Sequence, residues 1–268
     1  MKTLLLSFSA FLSLLTSPSW ADTRTICTIV LRADTGEAIV DQGDCDRRIS
    51  PASTFKIAIS LMGFDAGILT SPSEPELPFR EGYIDTRPEW RRATTPATWM
   101  RDSVIWYSQQ VTQRLGADRF STYIAAFDYG NRDLTGDPGA HDGLTRAWVS
   151  SSLQISPTEQ VAFLRKLVRH ELPVSDAAVE NTARILDQGI RPSGWHVFGK
   201  TGAGASRSAE SGPAGPFGWF AGWADRKGQT VVYARLIQDS ERQPTPPGPR
   251  ARDALLSDLF SDSGLLAR

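Results

Sequence analysis

The stretch Ser53-Thr54-Phe55-Lys56, with the apolar run behind it, constrains this chain most. From Ser53 to about Leu69, the residues Phe55, Ile57, Ile59, Leu61, Met62, Phe64, Ile68 and Leu69 cover most of a helix circumference. A helix that is apolar all round is a buried central helix, so the rest of the chain has to wrap it. Its first turn would carry Ser53, where backbone N–H groups are unpaired. Ser53 and Lys56 lie three residues apart and share one helix face. That suits a nucleophile and its base, because a serine hydroxyl attacks poorly until a neighbour takes its proton. A helix-capping serine would favour the same position, and a lysine there could equally sit in a structural ion pair.

The N-terminus reads as a leader rather than as part of the fold. Lys2 precedes an apolar run from Leu4 to Leu15, and Ser19-Trp20-Ala21 offers small residues for cleavage after Ala21. The run is shorter than the about 20 residues that a membrane span needs; a retained N-terminal anchor is the alternative. Residues 22–268 then form one exported domain, periplasmic or secreted, large enough for two interleaved subdomains. The formal net charge of −1 points to neither nucleic acid nor an acidic membrane surface as partner. Arginine greatly outnumbers lysine. Lys56 and Lys200 are two of only five lysines, which makes the motifs around them harder to attribute to composition.

Two cysteines, Cys27 and Cys45, flank a hairpin-like segment with a turn at Asp34-Thr35-Gly36. In an oxidising compartment they would form a disulfide, and two free buried thiols are the other possibility. Residues 26–31 are β-branched and apolar, as in a strand. Residues 71–98 read as a long irregular connection, and 99–170 as mainly helical. Ser156-Pro157-Thr158-Glu159 is a capping box that starts a helix to about Glu171. Ser175 caps another, to Leu186. Strands follow over His196–Thr201, Phe217–Ala224 and Thr230–Gln238, and a helix over Arg250–Phe260 closes the chain. Strands at both ends and helices between them imply an α+β architecture, with a central antiparallel sheet built from both termini and a helical subdomain.

Four short motifs occur in order: Ser53-Thr54-Phe55-Lys56, Ser103-Val104-Ile105, Tyr129-Gly130-Asn131 and Lys200-Thr201-Gly202. Each alone is common. In this order and behind a leader, with Trp148 and the Phe217–Trp223 strand, the chain resembles the class D (oxacillinase-type) serine β-lactamases over nearly all of residues 22–268. The resemblance implies a serine β-lactamase/penicillin-binding transpeptidase-like fold. It also implies hydrolysis of β-lactam antibiotics through an acyl-enzyme on Ser53.

The roles of the other residues are implied by the same resemblance. Lys56 would be an N-carboxylated lysine, formed with carbon dioxide, and the general base for acylation and deacylation. Burial would supply the neutral amine that this requires. Trp148 would donate its indole N–H to the carbamate, and Ile105, where valine is usual in the family, would line the lysine pocket. Ser103 would relay a proton toward the β-lactam nitrogen. The backbone N–H groups of Ser53 and Ala203 would form the oxyanion hole. Lys200, Thr201 and Arg250 would bind the substrate carboxylate, a guanidinium being suited to it through two parallel hydrogen bonds. Gly202 would let the ligand approach the backbone. Tyr129 would be a scaffold residue at the edge of the site.

Other chemistries fit less well. His141, His170 and His196 lack the spacing of a zinc hydrolase, so no metal is expected. No serine sits in a Gly-x-Ser-x-Gly elbow. A penicillin sensor or transpeptidase-like protein that acylates without turnover is the nearer rival, and a non-catalytic periplasmic binding protein the more distant one.

Overall fold

The computed structural model describes residues 22–206 and 215–267. The leader expected over 1–21 and the middle of the polar loop after Gly204 lie outside them. Six antiparallel strands form one sheet in the order β2-β1-β6-β5-β4-β3. They are β1 (Thr23–Arg32), β2 (Ala38–Gly43), β3 (Asp187–Ile190), β4 (His196–Ser206), β5 (Gly215–Arg226) and β6 (Gln229–Asp239). The sheet is built from both ends of the chain, with β1 paired to β6 from Thr23↔Asp239 to Arg32↔Val231.

The helices are α1 (Lys56–Asp65), α2 (Pro96–Asp102), α3 (Ile105–Leu115), α4 (Ala117–Phe127), α5 (Gly143–Arg146), α6 (Pro157–Val168), α7 (Asp176–Leu186) and α8 (Pro247–Phe260). On one face of the sheet, α8 packs Ala251, Leu255 and Leu259 against Val30, Phe220, Val231 and Tyr233. The other face carries the larger core, which contains α1. Every residue of α1 from Lys56 to Phe64 is buried, as its all-round apolar sequence requires. The expected α+β architecture is present.

Three local expectations are revised. Ser53 does not open a continuous helix. It lies in a 3₁₀ turn, Ala52–Phe55, and α1 begins at Lys56 and ends at Asp65. The tighter turn has three residues per rotation, so Ser53 and Lys56 nearly eclipse. The last carbonyls of α1 are met by a reversal in which Ile68 and Leu69 donate to Gly63 O. Strand β3 was not anticipated. Asp187-Gln188-Gly189-Ile190 has no strand pattern, and β4 recruits it through only two register pairs. Strand β4 also runs past Thr201 to Ser206 because β5 pairs with it throughout.

The Ser156–Glu159 capping box forms in full, with both reciprocal bonds present. Cys27 and Cys45 are bonded, and the bridge joins β1 to the segment after β2. Among the described residues, no helix is long and apolar enough to cross a membrane.

Candidate active site

Ser53, the candidate nucleophile, is placed by backbone constraint. Ala52, just before Ser53, is left-handed at φ 47°, an uncommon conformation for alanine that the surroundings must enforce. Ser50 supplies part of that enforcement. Its hydroxyl donates to Trp148 O at 2.8 Å and accepts from Ser150 N at 3.0 Å, while its carbonyl accepts from Trp219 Nε1 at 3.0 Å. One buried serine thus ties the Ser53 turn, the Trp148 segment and β5 together.

Gly202 closes the arrangement from β4. A Cβ there would stand 2.9 Å from Pro51 O and 3.2 Å from Thr54. Its lack of a side chain lets β4 press against the Ser53 turn, in addition to any room it leaves for a ligand. Ala203 follows and lines the same cavity as Ser53.

Lys56 Nζ lies 3.2 Å from Ser53 Oγ. The amine is fully buried and no carboxylate pairs with it among the described residues. Burial drives its pKa well below the ordinary lysine value, and the positive charges of Lys200 and Arg87 push the same way. The residue is thus held toward the neutral amine that a base requires. An ion-paired lysine would be shifted in the opposite direction.

Ser103 ends α2 in the left-handed conformation, φ 59° and ψ 37°, its N–H bonded to Trp99 O. Thr95 and Thr98 form a capping box at the other end of this short helix, and Trp99 Nε1 donates to Ser108 Oγ at 2.9 Å. Both ends of α2 are therefore fixed, and Ser103 sits on the wall of the cavity. Ile105 lines that cavity and a second void of about 40 Å³ beside it, whose other walls include Ser53, Trp148 and Ala203. Trp148 is buried against Phe55 and Phe120, at 5.4 and 6.3 Å between rings. Its indole Nε1 is buried with no partner among the described residues, a costly state unless something else accepts the bond.

Tyr129-Gly130-Asn131 acts as a clamp on the Trp148 segment. Asn131 Nδ2 donates to Ser152 O at 2.8 Å, and Asn131 Oδ1 accepts from Gln154 N at 2.9 Å. Gly130 is left-handed at φ 54°, and a Cβ there would overlap Gln154 O at 2.0 Å. Tyr129 packs its ring on Phe55 and Phe163.

On β4, Lys200 is buried, and burial with the charges of Arg87 and Arg252 lowers its pKa to about 7. Its Nζ donates to Thr201 O at 3.0 Å and approaches Thr201 Oγ1 at 3.4 Å. The main cavity, about 470 Å³, is lined by Ser53, Ser103, Thr201, Ala203, Arg87 and Arg252, among others. A contiguous cavity of about 310 Å³ shares Arg101, Thr201 and Arg252, and Lys200 lies on its wall.

Arg250, expected to bind the substrate carboxylate, is not among the residues that line the cavity. It pairs with the buried Asp239 carboxylate and donates to Thr23 Oγ1 at 2.8 Å and Thr245 O at 3.0 Å. Arg252 takes the cavity position instead. Two residues along a helix turn the side chain by about 200°. Burial of Ala251 and Leu255 fixes the phase of α8 so that Arg252 faces the cavity. Sequence reading also passed over Ser50, Arg87 and Trp90. Periodicity could have separated Arg252 from Arg250, but nothing local marks the other three.

Among the described residues, no group of three or more His, Cys, Asp or Glu side chains is arranged to hold a metal ion.

Comparison with known proteins places this geometry. The penicillin binding protein transpeptidase domain family matches residues 26–260. β-Lactamase OXA-9 of Klebsiella pneumoniae is 44% identical over 236 residues, covering 87% of this chain and 86% of that protein. β-Lactamase OXA-1 of Escherichia coli is 39% identical over 237 residues, covering 86% and 82%. The crystal structure of the class D β-lactamase OXA-427 superposes with a TM-score of 0.81 at 45% identity, over 86% of this chain and 95% of that one.

Proposed function

This chain belongs to the class D serine β-lactamases, hydrolases that destroy β-lactam antibiotics and so confer resistance, and from that premise we propose that Ser53 is its nucleophile and Lys56, carboxylated by carbon dioxide, its general base. One observation carries the lysine assignment. A fully buried amine with a depressed pKa lies 3.2 Å from the serine hydroxyl, and that serine lines one void with Trp148, whose indole N–H lacks an acceptor among the described residues. A carbamate on Nζ would be an anionic base and would give Trp148 Nε1 an acceptor. The void bounded by Ser53, Ile105 and Trp148 leaves room for a small group between them. Ile105, with its extra methylene, keeps that wall apolar.

Acylation then joins Ser53 Oγ to the lactam carbonyl carbon and breaks the lactam C–N bond. The hydroxyl proton goes to the lysine base, and Ser103 passes a proton to the departing nitrogen. The backbone N–H groups of Ser53 and Ala203 carry the developing negative charge, each worth about 3–4 kcal/mol of transition-state stabilisation. In deacylation the lysine base takes a proton from water as its oxygen bonds to the ester carbon, the bond from that carbon to Ser53 Oγ breaks, the proton passes to Oγ, and the ring-opened acid leaves. The ring carboxylate is held by Thr201 and Lys200, and Arg252 takes the anchoring role expected of Arg250. The enzyme acts outside the cytoplasm, in the periplasm or secreted, which the Cys27–Cys45 bridge and the leader-like N-terminus support.

The test is turnover of a chromogenic cephalosporin with and without bicarbonate, alongside 13C NMR of protein equilibrated with 13C-bicarbonate. Many turnovers, stimulated by bicarbonate, with a carbamate resonance absent from Lys56→Ala, are expected. A single stoichiometric burst in both conditions would replace this reading with acylation without release.

A further inference from the structure

The main cavity holds more positive charge than one ring carboxylate requires. Arg252 and Thr201 mark one part of its wall, and Arg87 lines it from the irregular connection that precedes α2. Arg101 and Asp102 also line it, but Asp102 is engaged by both Arg101 and Arg92. Arg252 has Asp253 at 2.8 Å. Arg87 is different: its guanidinium makes no ion pair or hydrogen bond among the described residues, only its backbone carbonyl accepting from Trp90 N. Its guanidinium lies 5.6 Å from the centroid of the Trp90 ring.

That ring is a fixed platform. Trp90 is buried, donates Nε1 to Asp102 O at 3.0 Å, and accepts at its own carbonyl from Trp106 Nε1 at 3.0 Å. Stacking on an aromatic face orients a guanidinium while leaving its charge and its hydrogen-bond donors available. The charge of Arg87 also reaches into the site, since it acts on both Lys56 and Lys200. Among the described residues, the one uncommitted acid on the same wall is Glu89, exposed and two residues away.

We infer that Arg87, held on Trp90, is a second anion subsite that favours β-lactams bearing an additional carboxylate or sulfonate on the acyl side chain. This rests on the assignment of Ser53, Thr201 and Arg252 to the substrate. A dianionic substrate would place its ring carboxylate at Thr201 and Arg252 and its second acid at Arg87. The planar fork would bind that acid through two parallel hydrogen bonds. Glu89 opposes the second acid by like charge.

The test compares benzylpenicillin with its α-carboxylated analogue, which differ by that one group. Steady-state kcat/KM is measured for the wild type, Arg87→Met, Arg87→Lys and Glu89→Gln. Arg87→Met should lower the dianion-to-monoanion ratio of kcat/KM about tenfold, the size of one charge-assisted hydrogen bond. Arg87→Lys should keep part of the ratio, Glu89→Gln should raise it, and added salt should reduce it in the wild type. Equal losses for both substrates in Arg87→Met would overturn the inference and leave Arg87 acting only through Lys56 and Lys200. A wild-type enzyme that turns over neither penicillin would overturn the substrate-site assignment and the inference with it.

Discussion

Lys56 Nζ stands 3.2 Å from Ser53 Oγ across the junction of a 3₁₀ turn and α1. The two residues are three apart, and the tight turn makes them nearly eclipse. The amine is buried and has no acid to pair with among the described residues, so its proton is held weakly. Removing the base should therefore affect chemistry more than binding. Lys56→Ala should lower kcat by about 10²–10⁴-fold, the usual worth of a positioned base. Mass spectrometry of the variant with a penicillin should find slow acylation and an acyl-enzyme that persists.

Trp148 tests the carbamate separately from the amine. Trp148→Phe keeps the ring contacts with Phe55 and Phe120 but removes the N–H, which has no partner among the described residues. Its activity should fall at ambient carbon dioxide and recover substantially in high bicarbonate. Thermal denaturation should change little. Activity equal to the wild type without bicarbonate would exclude the indole as a carbamate donor.

Arg250 and Arg252 should separate stability from binding. Arg252→Ala should raise KM for penicillins about tenfold or more, by loss of a charge-assisted contact, with the melting temperature nearly unchanged. Arg250→Ala should leave KM close to wild type but weaken the fold. The Asp239 carboxylate, with 0% side-chain exposure, loses its cation and keeps the Thr23 and Gln243 side chains as partners among the described residues. The cost should be on the order of 2 kcal/mol, read from urea unfolding.

The pH profile follows from Lys200. Its pKa is lowered to about 7 by burial first, and then by Arg87 and Arg252. The amine is charged below that value and loses its charge above it, so attraction for the ring carboxylate weakens as pH rises. In the free enzyme kcat/KM should decline on the alkaline side with an apparent pKa of about 7. Lys200→Arg stays charged throughout and should extend the plateau to higher pH. On the acid side activity should fall as Lys56 takes a proton, because the protonated amine is neither a base nor a partner for carbon dioxide.

The Cys27–Cys45 bridge spans a sequence separation of 18 and ties β1 to the segment after β2. Closing a loop of that size is worth about 3 kcal/mol in the chain-entropy treatment. The carbonyl of Cys45 also accepts from Thr158 N and Oγ1 in the first turn of α6. Cys27→Ser/Cys45→Ser should lower the melting temperature by about 6–12 °C, read by differential scanning calorimetry. Activity at 25 °C should persist, since neither cysteine lines the cavity.

The sequence by itself determined the features that depend on neighbours along the chain. The all-round apolar run after Ser53 required a buried helix, and the i, i+3 spacing put Ser53 beside Lys56. The capping box at Ser156 and the strand patterns at both termini set the element order and the α+β class. Tertiary structure decided the rest, because those features arise between segments that are distant in sequence. Gly202 is glycine partly because Pro51 O lies where its Cβ would be. Arg252 reaches the cavity because Ala251 and Leu255 lock the rotation of α8. Arg250 is drawn to Asp239 on the neighbouring strand β6. The depressed pKa of Lys56 needs the whole core around it, together with Lys200 and Arg87 from other segments. A chain states which residues it has and their local periodicity. Desolvation, orphaned donors and the direction of a charged side chain exist only once distant segments have packed.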